Sequence, residues 1–195
     1  MGVEIRRLQG SELRAQLDAL AFLRIAVFED YPYLYAGDIE YERDYLAQFA
    51  NAPGSVLVAA YAHDRLVGAA TCCPLKQYRP KLGNLFEKRG YDLSTLFYFG
   101  ESVLLRECRG QGIGHRFFDE REKAGREAGA TQATFCAVVR EDDHPLRPDD
   151  YRPLDGFWQR RGYTPIDDLT MTLEWDEHGG DETADHVMQF WIGAL

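Results

Sequence analysis

The stretch ESVLLRECRGQGIGHRFF, Glu101 to Phe118, runs an apolar strand-like segment into a glycine-spaced turn and then into a helix. Gly110, Gly112 and Gly114 carry no side chains, so successive backbone N–H groups can converge there on an anion. A helix opening near Ile113 adds its unpaired first-turn N–H groups and the positive end of its dipole. Two familiar phosphate signatures fail on particular residues. No Lys-Ser/Thr follows any of these glycines, as a Walker loop requires, and His115 occupies the last position of a Gly-x-Gly-x-x-Gly/Ala fingerprint. What is left is Arg109-x-x-Gly112-x-Gly114 between strand and helix. It suits a pyrophosphate without a lysine, or else a turn needed only for close helix–strand packing.

Working outward, the strand LFYFGESVLL precedes the turn, and an amphipathic helix from about Ile113 to Gly129 follows it. ATFCAVV, from Ala133 to Val139, is a further strand. EDDHPLRPDDYRPL is a proline-broken loop, and DGFWQRRG is a short helix with Asp155 as its expected cap and Gly162 as its stop. LTMTLEWDE and VMQFWIG form a last strand pair. Toward the N-terminus, VEIRRL is a first strand, and Leu13, Leu17, Leu20, Phe22, Leu23 and Val27 predict one helix opened by Ser11. IEYERDYLAQFA is a second helix stopped by NAPG, and SVLVAAYAHDRLVGAATCCPL is a hairpin turning at His63 and Asp64. NLFEKRG is a short helix. The order implies an α+β fold, a mixed sheet of mostly antiparallel strands with one parallel crossover, in a single domain over residues 1–195.

Composition narrows the partners. Apolar residues at 45% and charged residues at 28% describe an ordinary globular chain. A net charge of −10 argues against nucleic acid, which is held by Lys/Arg on phosphates, and leans toward a cationic small molecule. Cys72, Cys73, Cys108 and Cys136 have no metal spacing, so no metal is expected; reduced thiols suit a cytoplasmic protein. No apolar run approaches membrane-spanning length.

Arg109-Gly110-Gln111-Gly112-Ile113-Gly114 resembles the Arg/Gln-x-x-Gly-x-Gly/Ala signature of the GNAT superfamily of acyl-CoA-dependent N-acyltransferases. GFWQRRGYTPI, Gly156 to Ile166, resembles that family's late Phe-Tyr-x-x-x-Gly-Phe segment, with one helix and one strand between the two, as the family order requires. The resemblance implies splayed central strands flanked by helices, with acetyl-CoA as cosubstrate. It assigns the pyrophosphate to Arg109, Gly110, Gln111, Gly112, Ile113 and Gly114, with a further contact from His115. The pantetheine arm falls to backbone groups of Val103, Leu104 and Leu105.

Acyl transfer to an amine needs a base for the ammonium proton and a donor for the carbonyl oxygen. A backbone N–H near Leu104 meets the second need. Glu101, the ionised group of its strand, sits where many family members carry the base; otherwise it meets solvent or pairs with a buried arginine. The family's late acid, a Tyr, is replaced by Trp158, whose indole N–H is no useful acid. Tyr151 is the candidate substitute. Tyr31, Tyr33 and Tyr35, beside Asp30 and Asp38, are expected to form an aromatic, acidic pocket for the acceptor, with Asp142, Asp143 and His144 nearby. The expected activity is acetyl transfer to a primary amine. A non-catalytic acyl-CoA-binding module, or an enzyme using a longer acyl-CoA, is the alternative. VMQFWIGAL is either a core strand or a swapped strand of a homodimer.

Overall fold

The computed structural model describes residues 2–180 and 183–195. Among them, seven strands form one sheet in the order β1-β2-β3-β4-β5-β7-β6. β1 (Glu4–Leu8), β2 (Val56–Ala62), β3 (Arg65–Pro74) and β4 (Leu96–Leu104) pair antiparallel in succession. β5 (Gln132–Val138) is parallel to β4, and β7 (Thr183–Ala194) pairs antiparallel with both β5 and β6 (Thr164–Asp176). The mixed α+β architecture expected from the element order is the one observed.

Helices cover both faces. α1 (Gly10–Arg14), α2 (Leu17–Phe28), α3 (Ile39–Asn51) and α4 (Pro80–Glu87) send Leu13, Leu20, Leu46, Phe49 and Phe86 into one core. α5 (Ile113–Glu127) sends Ile113, Phe117 and Phe118 into the other, where Phe157 and Trp158 of α6 (Asp155–Arg160) also pack. β2 shows why its sequence reads as an unbroken apolar run. Leu57, Ala59 and Tyr61 serve the first core while Val56, Val58 and Ala60 serve the second.

Several boundaries differ from expectation. The helix expected from Ser11 to Val27 is two helices. Ala15 N–H returns to the Ser11 carbonyl and Gln16 N–H to the Leu13 carbonyl (2.9 Å), so a tight turn re-aims the axis between Leu13 and Leu20. Asp155 is not the cap of α6 but its first residue. The N–H groups of Phe157 and Trp158 already bond the Leu154 carbonyl, at 2.9 and 3.0 Å. α4 starts earlier than expected because Pro80 serves as its first residue, where a missing N–H costs nothing. β7 has a partner on each side within the chain, so VMQFWIGAL lies inside the sheet as a core strand.

Candidate active site

The sheet opens in its middle. β4 and β5 pair only from Leu96/Gln132 to Tyr98/Thr134. Beyond that point β4 stays with β3 as far as Leu104, and β5 stays with β7 as far as Val138. The gap is a cleft of about 1220 Å³, roomier than most small-ligand pockets and long enough for an extended ligand. Its walls include Leu104, Ile113 and Phe117 on one side and Phe135, Trp158 and Trp191 on the other.

The glycine turn forms the mouth. Gly110 and Gly112 have φ of 76° and 75°, left-handed values that L side chains avoid, and an added Cβ on either would meet nothing. Glycine is needed there for the backbone's path, not for space. Gly112 caps α5, and the first helical bond at this end runs from Arg116 N–H to the Gly112 carbonyl (3.3 Å). The N–H groups of Ile113, Gly114 and His115 therefore have no intrahelical acceptor. Gly110, Gly112, Ile113, Gly114 and Arg109 all line the cleft. Arg109 also donates from Nε to the Leu104 carbonyl (3.1 Å), tying the turn to the strand. Gln111 and His115 are turned away from the lining. Gln111 Nε2 donates to the Glu107 carbonyl (3.4 Å), and His115 packs its ring 4.8 Å from Phe157 with Nδ1 3.3 Å from Arg161.

Of the three expected pantetheine-facing residues, only Leu104 lines the cleft. Leu105 N–H donates to the Val67 carbonyl (2.9 Å), and Leu104 faces Gly68. In an antiparallel ladder this makes Leu104/Gly68 a non-hydrogen-bonded pair. Val103 thus spends its backbone groups on β3, and Leu105 spends its N–H there while its carbonyl accepts from Cys108 N–H (2.9 Å). Leu104 and Ser102 direct theirs to the open side. Two adjacent apolar residues look alike in sequence, and only the register tells them apart.

Glu101 owes its orientation to a bulge. Ala70 faces Ser102 and Cys72 faces Phe99, so Gly100 and Glu101 together oppose Thr71. In a regular strand Glu101 would share the face of Phe97 and Phe99, against α5. The extra residue inverts the alternation and places Glu101 on the α2 and α3 face instead. Gly100 is required at this point, since a Cβ would lie 2.3 Å from Thr71 Oγ1.

On that face Glu101 is 8% exposed and meets Arg24, whose Nη1 lies 2.9 Å from Oε2. Tyr45 donates its hydroxyl to the same oxygen (3.3 Å). Glu42, wholly buried on α3, accepts from Arg24 Nε and from Nη2 (3.4 Å). Burial works against the Arg24 charge, but Glu101, Tyr45 and Glu42 outweigh it and raise its pKa. The cluster holds two carboxylates for one guanidinium. Glu101 Oε1 is buried without a hydrogen-bond partner among the described residues, and Glu101 lines the cleft. The sequence did not reveal Arg24 and Glu42 as site residues. A charged pair inside helices with buried neighbours was the available signal, and it became specific only once the bulge pointed Glu101 at them.

The aromatic loop divides. Tyr31 and Tyr33 line the cleft, as do Asp30 and Tyr151. Tyr31 stands edge-on to Tyr151 at 4.7 Å, and burial, with Tyr31 beside it, pushes the Tyr151 phenol up. Tyr33 packs 4.5 Å from Phe28. Tyr35 does not line the cleft: its backbone bridges Glu177, and its phenol is pushed up by burial and by the Glu42 carboxylate. Asp38 is not a pocket residue either, because its carboxylate caps α3 by accepting from Tyr41 N–H (2.7 Å). Asp142 lines the cleft paired with Arg147, while Asp143 and His144 do not line it. All four cysteines are free thiols. Cys136 alone of them lines the cleft, its thiol pushed up to about 11 by burial.

The profile of the acetyltransferase (GNAT) family matches residues 20–148, two thirds of the sequence. The chain belongs to the GNAT acetyltransferase family. No curated protein matches the sequence. Solved structures of the same fold include a ribosomal-protein-alanine N-acetyltransferase from Brucella melitensis, with 17% identity, a TM-score of 0.62 and coverage of 98% of this chain and 99% of that one. An aminoglycoside 6'-N-acetyltransferase complexed with coenzyme A has 16% identity and a TM-score of 0.62, covering 98% and 96%. The Salmonella typhimurium protein yncA, solved with its cofactor acetyl-CoA, has 10% identity and a TM-score of 0.62, covering 100% and 95%. At such identities the likeness shows the shared fold. Among the described residues no helix is long and apolar enough to cross a membrane, and no group of three or more His, Cys, Asp or Glu side chains could hold a metal ion.

Proposed function

We propose that this GNAT domain, spanning the whole chain, moves an acetyl group from acetyl-CoA to a primary amine. The observation that carries the reading is the cleft itself. An anion cradle lies at its mouth, and a buried carboxylate with one unpartnered oxygen, Glu101 Oε1, is set into its wall. The residues present fit acetyl-CoA. Gly110, Gly112 and the first turn of α5 would take the pyrophosphate, and Ser102 would offer backbone groups to the arm. The cosubstrate supplies an activated acyl carbon on sulfur.

Glu101, on the α2 and α3 face, takes the ammonium proton at Oε1 so that the amine nitrogen can form its bond to the acyl carbon. Arg24 and Tyr45 hold Oε2 and fix the carboxylate's orientation. Leu104 N–H, directed into the cleft, donates to the acyl oxygen as charge gathers there. The bond to sulfur then breaks, and Tyr151, which keeps its proton at neutral pH, protonates the departing thiolate and recovers a proton from the new amide nitrogen, which must lose a second one. Tyr31, Tyr33 and Asp30 form the acceptor side. Asp30 is shared with Arg109 (3.7 Å), and the rings of Tyr31 and Tyr33, beside a cluster in which Arg24 serves two carboxylates, favour a cationic amine. The free thiols support a cytoplasmic setting for this reaction.

The test is thiol release from acetyl-CoA over a panel of primary amines. The reading requires amine-dependent release that Glu101→Gln slows by at least about 10²-fold. Tight acetyl-CoA binding with no turnover on any amine would instead make the chain a binding module.

A further inference from the structure

The opposite face of β4 carries a second buried arginine for which acetyl transfer has no use. Arg121, on α5, is 1% exposed. Its guanidinium carbon lies 4.4 Å from the centre of the Phe99 ring and 4.6 Å from that of Phe118. Nε donates to the Phe117 carbonyl in its own helix (3.3 Å). Among the described residues no carboxylate lies within ion-pair distance of Arg121. The neighbouring Glu122 is engaged by Arg161 (2.9 Å) and Tyr163 (3.1 Å). Burial of an unpaired guanidinium is costly, and here it pulls the group down to about 10, still charged at neutral pH.

Arg121 nevertheless lines the cleft, on the same helix face as Gly114, Phe117 and Phe118. It stands seven residues beyond Gly114, about 10 Å further down α5 from the anion cradle. Its partner Phe99 lies next to Tyr98, where β4 and β5 part, so the guanidinium marks the deep end. Between mouth and deep end the lining is apolar, from Ile113, Phe117, Phe118 and Phe135. Such a channel suits a ligand anionic at both ends with an apolar middle.

We propose that Arg121 recognises a carboxylate at the far end of the donor's acyl chain, so that the chain accepts a short dicarboxylic acyl thioester of coenzyme A, of the succinyl type. The inference rests on the proposed acyl transfer and adds a second class of donor to acetyl-CoA. The transfer balances as it does for acetyl: the carbon–sulfur bond breaks, the carbon–nitrogen bond forms, and the ammonium gives one proton to Glu101. The second N–H proton replaces the one that Tyr151 gives to the thiolate, and the distal carboxylate is unchanged. Charge is sorted across β4, with the cationic acceptor on the Glu101 side and the anionic acyl end on the Arg121 side.

The probes are succinyl-CoA and butyryl-CoA, which match in chain length and differ in the terminal charge. Calorimetry without amine should give succinyl-CoA the tighter binding by about tenfold or more, the gain expected of a charge-assisted bond in a buried site. Arg121→Met should bring the ratio of the two affinities close to one, and Arg121→Lys should restore part of it. Thiol release with an amine acceptor should show the same preference. Equal binding of the two thioesters by the unaltered protein would overturn the proposal, and this comparison needs no variant. So would a ratio that survives Arg121→Met, or an equal loss with both thioesters, which would place the guanidinium under the part they share. Binding preference with no turnover on any donor would sink the transferase reading and leave the recognition site standing.

Discussion

Arg24 and Arg121 are buried against opposite faces of one strand, and their surroundings are reversed. Arg24 has two carboxylates within reach, Glu42 and Glu101, and its pKa is raised despite burial. Arg121 has two phenylalanine rings and no acid, and burial pulls it down. The first arginine neutralises charge already in the fold. The second adds charge that the fold leaves unmatched. A buried ion held by partners belongs to the structure, whereas one held against a cleft without partners is available to a ligand.

The comparison breaks first on stability. Arg24→Met strands two buried carboxylates and should cost about 3–5 kcal/mol, read as a lowered denaturation midpoint in urea. Arg121→Met removes an unpaired charge and fills similar space, so its cost should stay below about 1.5 kcal/mol. Equal losses from the two substitutions would erase the distinction. Glu101→Gln comes next. It keeps shape but not basicity, and amine-dependent thiol release should fall by about 10²- to 10³-fold. Unchanged release would remove Glu101 from the role of base.

Gly100→Ala acts on the same carboxylate from the backbone side. The added methyl meets Thr71 Oγ1 at 2.3 Å, so the bulge must shift, at about 1–3 kcal/mol. Glu101 should lose its alignment with Arg24, and turnover should fall more than stability does. A variant with wild-type turnover would show that the bulge does not set the carboxylate. The smallest effect concerns pH. His186 stacks 3.6 Å from Trp175, with Glu177 3.6 Å from Nδ1 and Asp185 and Arg140 near, and burial, then Arg140, holds its pKa below 6.5. The unfolded chain therefore takes up a proton below 6.5 that the folded chain resists, and stability declines as pH falls through that value. Urea midpoints at about pH 7.5 and about pH 5.5 should differ less in His186→Phe than in the parent.

Much of the fold was legible because its signals are local. The unbroken apolar run of VLVAAYA, the glycine turn and the apolar face of α5 each depend on residues a few positions apart. The late tryptophan was legible too, as a departure from the family's acid, and Trp158 does sit in the cleft wall. Other expectations failed where another group takes up the residue first. Tyr35 has the alternate spacing of Tyr31 and Tyr33, yet Glu42 and the bridge to Glu177 take it out of the cleft. Asp38 reads as a pocket acid and works as a cap, because three residues on an N–H is free to bond it.

The sequence by itself determined the order of elements, the glycine cradle and the presence of a lone carboxylate in an apolar strand. Those follow from backbone sterics and short-range hydrophobic period, which the chain carries wherever it goes. Only the tertiary structure decided which side of β4 that carboxylate occupies, which arginine neutralises it and which arginine is left over. A one-residue bulge, set where Thr71 meets Gly100, inverts the face of every residue after it. Its chemical consequence appears only when α2, α3 and α5 have packed on the two sides.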